Sequence, residues 1–288
     1  MKHSCTLSIQ FVPSIDRNRT QVKKSQVIDY FTVLENAYSK NVNPLLVFNM
    51  DETGLSSRPE KGKIYRCVTH AESTFLPFKI ETRDYRHISI VSTISLAGEV
   101  ITPLTILTRK HWESEIGNET WYNQFKFIYG ESGYMNASIM KYYINNILKP
   151  HIMKTREIIN DLDAHAVLIM DNMSAHVTND VMNEFASLEN FEIVLLPPPS
   201  SHILQPLDLS YLGIFKKRYM QYKNARSISS LKEKMSIIAH ALHDVSYIDI
   251  VMNSWKAGGH IIETVLGDKR IASKNQEKIN QVISQFQE

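Results

Sequence analysis

Apolar and polar positions alternate along the chain in short blocks that predict strands and helices in turn. Residues 1 to about 25 are polar and unpatterned, and an irregular leader is expected there. After Ser25, the apolar residues Val27, Ile28, Tyr30, Phe31, Val33, Leu34, Ala37 and Tyr38 recur at helical spacing, and the stretch from Asn41 to Pro44 ends that helix. Leu45-Leu46-Val47-Phe48-Asn49-Met50 is short, largely apolar and bounded by Pro44 and by the charged pair Asp51-Glu52, which predicts a buried strand. From His87 to Ser95, apolar residues alternate with polar ones, and Ala97-Gly98 supplies a turn. Val100 to Leu107 then completes an antiparallel hairpin.

Farther on, Asn136 reads as the N-cap of a helix through Ile139, Tyr142, Tyr143, Ile147 and Leu148, which Pro150 is expected to end or bend. Ala166 to Met170 is a second buried strand, ending at Asp171-Asn172. A helix with Val181, Met182, Phe185 and Leu188 on one face follows. Phe191 to Leu196 is a third buried strand, stopped by Pro197-Pro198-Pro199. A helix is expected after Asp208 through Leu212, Phe215 and Tyr219. Residues 226–288 read as a largely helical extension with no nameable site. The order predicts an α/β fold, a mixed sheet flanked by helices, spanning residues 26–225. In such sheets functional groups gather beyond the carboxyl ends of strands, and Asp51 and Asp171 each follow an apolar strand directly.

An aspartate at a strand end is held on rigid backbone, although many such residues only cap helices or form turns. Several converging carboxylates repel one another unless a cation lies between them. Hard divalent ions, magnesium above all, take carboxylate and phosphate oxygens. A pair of such ions about 4 Å apart serves both the attacking and the leaving oxygen of a phosphoryl displacement. The acids therefore suit cutting or joining a phosphodiester.

Side chains near the acids admit supporting roles. Glu52 adjoins Asp51, and neighbours in an extended strand point to opposite sides, so a structural or supporting role is expected for it. Asn172 reads similarly. His176 and His202 either touch a phosphate or orient an acid, or else bond backbone in a turn. Zinc is not expected, because no Cys cluster or His-x-x-x-His helix pair accompanies them. Trp112, Trp121 and Tyr122 either stack on splayed bases or pack beneath a surface insertion.

Composition narrows the classes. The chain has 288 residues, 43% hydrophobic and 22% charged, with a formal net charge of +2, so charge alone does not announce a nucleic-acid partner. Basic runs such as Lys216-Lys217-Arg218 read as solvated faces when taken singly. No apolar run approaches the roughly 20 residues a membrane-spanning helix needs, and the N-terminal residues lack the apolar stretch of a secretory signal. Cys5 and Cys67 offer no disulfide framework, which fits a reducing compartment, cytosol or nucleus.

Three blocks carry a family resemblance. Asn49-Met50-Asp51-Glu52-Thr53-Gly54 resembles the N-M-D-E-T-G block of the pogo and Tigger branch of mariner-like transposases, within the DDE superfamily endonucleases. Asp171-Asn172-Met173-Ser174-Ala175-His176 resembles its D-N-x-S-x-H block. Pro197-Pro198 through Ser201-His202-Ile203-Leu204-Gln205-Pro206-Leu207-Asp208 resembles its P-P-x-x-S-H-x-L-Q-P-L-D block. Ser132-Gly133-Tyr134-Met135 and Ile101-Thr102-Pro103-Leu104-Thr105-Ile106 are weaker matches. The resemblance implies a ribonuclease-H-like fold and a catalytic, metal-binding triad of Asp51, Asp171 and Asp208. It also implies Mg2+ or Mn2+ as cofactor, with two ions expected, and strand cleavage and transfer at transposon ends. The implied partner is DNA, with a homodimer in the synaptic complex, action in the nucleus, and neither a membrane nor a small-molecule substrate.

Other acids near the third block are poorer candidates for the triad. Asp180, Glu184 and Glu189 lie along or at the end of a helix leading away from the Asp171 edge, and Glu192 lies at the start of its strand. Pro206 suits a first helical turn, so Asp208 would project from a helix start, where it also has a purely helix-stabilising reading. Departures from the family pattern are Met173, Pro199-Ser200 in place of a commoner His-Cys pair, and a loose echo of a downstream Trp-Ala-Gly segment at Ser254–Gly259. The leader leaves no room for a helix-turn-helix DNA-binding domain, so the chain is expected to be a fragment, a truncated copy or a host-adopted remnant. The alternative is a transposase-derived DNA-binding or chromatin protein without catalysis, and retention of all three acids favours the enzyme.

Overall fold

Apolar strands that cannot bury both faces alone assemble into one six-stranded sheet in the order β4-β3-β2-β1-β5-β6. The computed structural model describes residues 22–55, 87–173, 177–225, 228 and 230–260. Cys5, Cys67, His176 and residues 1–21 of the expected leader lie outside the described residues.

Helix α1 (Lys24–Tyr38) forms where the periodicity places it and buries Val27, Tyr30, Phe31, Leu34 and Ala37. A 3-10 turn, Pro44–Leu46, then feeds β1 (Val47–Leu55). Two expectations change here. Leu45 and Leu46 belong to the turn, where the Asn43 side chain accepts the Leu45 N–H at 3.0 Å. The strand then runs through Asp51 to Leu55, so Asp51 sits within a strand and not after one. The cause is β2 (Ile88–Ser95), which pairs antiparallel with β1 from Phe48↔Ser95 down to Leu55↔Ile88 and supplies partners beyond the acid.

The β2–β3 hairpin forms as expected, with β3 spanning Val100–Leu107 and Gly98 turning at φ 95. A side chain at Gly98 would also strike Ile248, so this turn needs glycine twice over. A short helix, α2 (Glu113–Ile116), precedes β4 (Lys126–Tyr129), a parallel edge strand on β3 that the pattern did not foretell.

Asn136 caps α3 (Ala137–Tyr143) by accepting the Ile139 N–H at 2.9 Å. Of the two expected outcomes at Pro150, the helix does not end there. A π-helical turn, Ile144–Leu148, leads directly into α4 (Lys149–Ile158). The wider turn hands the Lys149 N–H to Ile144 O, and Pro150 falls in the first turn of α4, where a ring is tolerated. β5 (Ala166–Met170), α5 (Asn179–Ala186) and β6 (Phe191–Leu195) follow as expected, with β5 parallel to both β1 and β6.

The remaining helices are α6 (Ser201–Leu204), α7 (Pro206–Leu209), α8 (Tyr211–Ala225), α9 (Leu231–His243) and α10 (Ile248–Gly258). Alternate strand residues divide the core by face. Phe48, Met50, Leu168 and Met170 pack with Ile139, Tyr143, Ile152, Val181 and Phe185 of α3 to α5. Val47, Val167, Ile169 and Val194 pack with Phe31 and Leu34 of α1 and with Leu207, Phe215, Ile238 and Trp255 of α7 to α10. The helices beyond residue 225 thus close one face of the sheet. Trp255 is fully buried, and its indole N–H donates to the Ser95 carbonyl at 2.8 Å.

Candidate active site

β1 and β5 pair in parallel only over Val47↔Val167, Phe48↔Leu168 and Asn49↔Ile169. β5 ends at Met170, while β1 continues under the cover of β2 alone. Extending the register past Asn49↔Ile169 sets Asp51 level with Asp171. Side chains alternate along a strand, so Asn49, Asp51 and Thr53 share the face that Val47, Val167 and Ile169 bury. Asp171 continues that face from β5. Across the antiparallel ladder Asp51 is paired with Ser92, whose buried hydroxyl has no hydrogen-bond partner among the described residues.

The third acid arrives on the same face by a longer route. The chain leaves β6, turns through Pro197-Pro198-Pro199 and α6, and reaches Gln205. Gln205 and Asn49 are both fully buried polar side chains. The Asn49 Nδ2 donates to Ile169 O at 2.9 Å and to Gln205 Oε1 at 2.8 Å, and its Oδ1 accepts the Leu207 N–H at 3.0 Å. Gln205 Nε2 donates to Met50 O at 3.2 Å. This network sets α7 against β1, with Pro206 and Leu207 buried and Asp208 exposed in the first turn of α7.

The electrostatics of Asp51 register all three acids. Burial raises its carboxyl well above the usual carboxylate range, Asp208 raises it further, and Asp171 adds to this. The Glu52 N–H, donating to Asp51 Oδ1 at 2.8 Å, and the Gln205 amide oppose the rise. Among the described residues, no three His, Cys, Asp or Glu side chains stand close enough together to enclose an ion. The donor chemistry nonetheless fits a divalent cation: Asp208 and Asp171 both act on the Asp51 carboxyl, which is electrostatically unfavourable as an anion without a neighbouring positive charge.

Neighbouring residues divide cleanly. Glu52 points to the opposite face, where its Oε2 accepts the Met135 N–H at 3.2 Å, so it ties the Ser132–Met135 segment to β1. Asn172 is exposed just past β5, and His202 is half-buried on α6. Two of the competing acids are engaged elsewhere, and a third lies on α5. Glu184 accepts the Asn145 amide at 2.7 Å, Glu192 pairs with Lys40 and His165, and Asp180 stands in the first turn of α5. Trp121 is buried, and Tyr122 stacks on Phe127 at 5.0 Å, with Trp112 beside it, so these aromatics pack against β4. Sequence reasoning assigned no role to Asn49, Gln205 or Ser92. The available signal was Asn49 itself, one amide in the apolar run Leu45 to Met50.

Residues 86–260 match the DDE superfamily endonuclease family. The fold is similar to the Mos1 mariner paired end complex with Mn, at TM-score 0.55 and 12% identity, covering 97% of this chain and 67% of that one. It is also similar to the catalytic domain of Mos1 mariner transposase, at TM-score 0.52 and 11% identity, covering 94% and 97%. At such identities the likeness speaks to the fold, and it is the expected ribonuclease-H-like one, a mixed sheet flanked by helices. A curated relative, the MFS-type transporter clz9 of Cochliobolus lunatus, is 23% identical over 207 residues, which is 71% of this chain and 20% of the relative. The chain therefore spans about a fifth of that relative's length. Among the described residues no helix is long and apolar enough to cross a membrane. The family match covers more than half of the chain, from β2 through α10, and includes Asp171 and Asp208; the chain belongs to the DDE superfamily endonuclease family.

Proposed function

We propose that this chain cuts and transfers DNA strands as the catalytic core of a cut-and-paste transposase of the pogo and Tigger branch. The observation that carries the reading is the Asn49 bond to the Leu207 N–H, which holds the segment bearing Asp208 against β1, the strand that carries Asp51. These three carboxylates would hold Mg2+ or Mn2+, two ions in the full site. Bound divalent ions supply charge neutralisation and activation of the attacking oxygen in phosphodiester cleavage.

The chain's own residues do the rest. Asp51 is carried by a strand paired across its whole length, which restricts its motion. Asp208, exposed on α7, faces the solvent from which a DNA phosphate arrives. Asn172, His176 and His202 are the side chains from which phosphate contact or acid orientation is proposed. The partner is DNA, bound at transposon ends by a homodimer, and the site of action is the nucleus. The motif blocks in their family order support the branch. Binding by this chain alone is expected to be weak and salt-sensitive, since it rests on Lys and Arg contacts to phosphate.

The test is nicking of a duplex by the purified chain with and without Mn2+, repeated with Asp51→Asn, Asp171→Asn and Asp208→Asn. All three changes should abolish nicking. Full activity of Asp208→Asn would show that another group completes the site. DNA binding with no cleavage under any divalent ion would favour a host-adopted binding protein instead.

A further inference from the structure

We propose that Asn49 and Gln205 are a positioning pair that sets the divalent-ion affinity of the acidic site. They would do so by locking the segment bearing Asp208 onto the strand bearing Asp51. The inference rests on the reading that the three aspartates hold the ion.

The two amides stand 156 positions apart in sequence and are both fully buried. Their bonding is close to saturated. Asn49 uses Nδ2 for two acceptors, Ile169 O at 2.9 Å and Gln205 Oε1 at 2.8 Å, and uses Oδ1 for the Leu207 N–H at 3.0 Å. Gln205 accepts from Asn49, donates to Met50 O at 3.2 Å and also hydrogen-bonds the Asp51 carboxyl. One pair thereby joins β1, the end of β5 and the start of α7, the three segments that carry Asp51, Asp171 and Asp208.

Amides suit both places. Leu207 presents a donor and Ile169 and Met50 present acceptors, so each side chain must both give and accept. A carboxylate has no N–H to donate, and an aliphatic residue leaves buried main-chain groups unpaired. α7 is four residues long and gets little rigidity from its own hydrogen bonds. Its placement against β1 therefore depends on these side-chain bonds and on buried Leu207. Loosening them would leave the fold's two apolar cores in place while freeing the third acid.

The experiment measures Mn2+ affinity by calorimetry and stability by urea denaturation. The proteins are the unmodified chain, Asn49→Ala, Gln205→Ala, the double Ala variant and the near-isosteric Gln205→Met. Tyr143→Phe, which removes the buried 2.7 Å bond to Thr93 on the other face of the sheet, is the structural control. The amide variants should bind Mn2+ roughly 10–100-fold more weakly, the range typical when side chains supporting metal ligands are removed. The double variant should be little worse than the weaker single one, because the pair acts as a unit. Tyr143→Phe should lose stability and keep its affinity. Unchanged Mn2+ affinity in folded Gln205→Met overturns the positioning role, and this variant decides the matter if an Ala variant does not fold. A chain that binds no Mn2+, or that binds it equally well as Asp51→Asn, overturns the acidic-site reading itself.

Discussion

Asp51 on β1 and Asp171, the first residue past the end of β5, fall level when the parallel register that joins Asn49 to Ile169 is carried forward. β5 stops at Met170 while β1 goes on, so the sheet has a notch at this level on one side of Asp51. A notch of this kind lets polar side chains from the sheet face meet solvent without breaking the ladder that supports them.

Asp51→Asn should stabilise the metal-free chain at neutral pH. Burial, then Asp208 and Asp171, hold the Asp51 carboxyl well above its ordinary range, so the folded state binds this proton more tightly than the unfolded state does. Stability consequently falls as pH rises from the unfolded value, about 3.9, through the raised folded value, and the whole penalty is present above that. The amide removes the penalty, at roughly 2–4 °C of melting temperature per kcal/mol. Thermal melts across pH without divalent ions should show the gain at neutral pH shrinking as acid is added. A variant that melts lower than the unmodified chain at neutral pH would contradict this.

Glu52→Gln should leave Mn2+ binding unchanged, in contrast to Asp51→Asn next to it. The glutamine oxygen still accepts the Met135 N–H on the far face. Glu52→Ala should cost about 1 kcal/mol by leaving that amide without its partner. Calorimetry and urea titration separate the two effects, and loss of ion binding in Glu52→Gln would place this carboxylate in the site after all.

Trp255→Ala should destabilise the whole sheet by about 3–5 kcal/mol, the usual range for emptying a buried aromatic site. Trp255→Phe should cost less, about 1–3 kcal/mol, chiefly for the lost bond to the Ser95 carbonyl. Denaturation followed by fluorescence and by circular dichroism should give one coincident transition. Separate transitions would mean that α10 folds independently of the sheet.

Arg156→Lys should lose about 1.5–3 kcal/mol despite keeping the charge. The guanidinium donates to Ala164 O at 2.9 Å, Glu189 O at 2.8 Å and Asn190 O at 3.1 Å, a spread that a single ammonium cannot cover. Asn190 sits at φ 49, so these bonds hold a turn in the left-handed region just before β6. Urea titration of the variant gives the number, and a loss below about 0.5 kcal/mol, typical of an exposed position, would show the fork to be dispensable.

What the sequence determined by itself was the set of elements whose signal is local. The alternation of His87 to Ser95 and Val100 to Leu107 appears as the hairpin, the apolar run Ala166 to Met170 as β5, and the cap at Asn136 as the start of α3. The motif blocks likewise pointed to three aspartates, and Glu52 was readable from strand alternation alone. Other features were decided only by tertiary structure. β1 extends through Asp51 because β2 offers it partners as far as Ile88. β4 is only four residues long, too short for its alternation to stand out, and it pairs along the edge of β3. The helix survives Pro150 because a π turn reassigns the hydrogen bonds ahead of it. Residues 231–260 cover one face of the sheet, and nothing in their helical periodicity says which surface they cover. The Asn49–Gln205 bond spans 156 positions. Periodicity reports which side of one element avoids water, but a buried amide is satisfied by whichever donors and acceptors the folded chain brings beside it, and those are known only once the chain has closed.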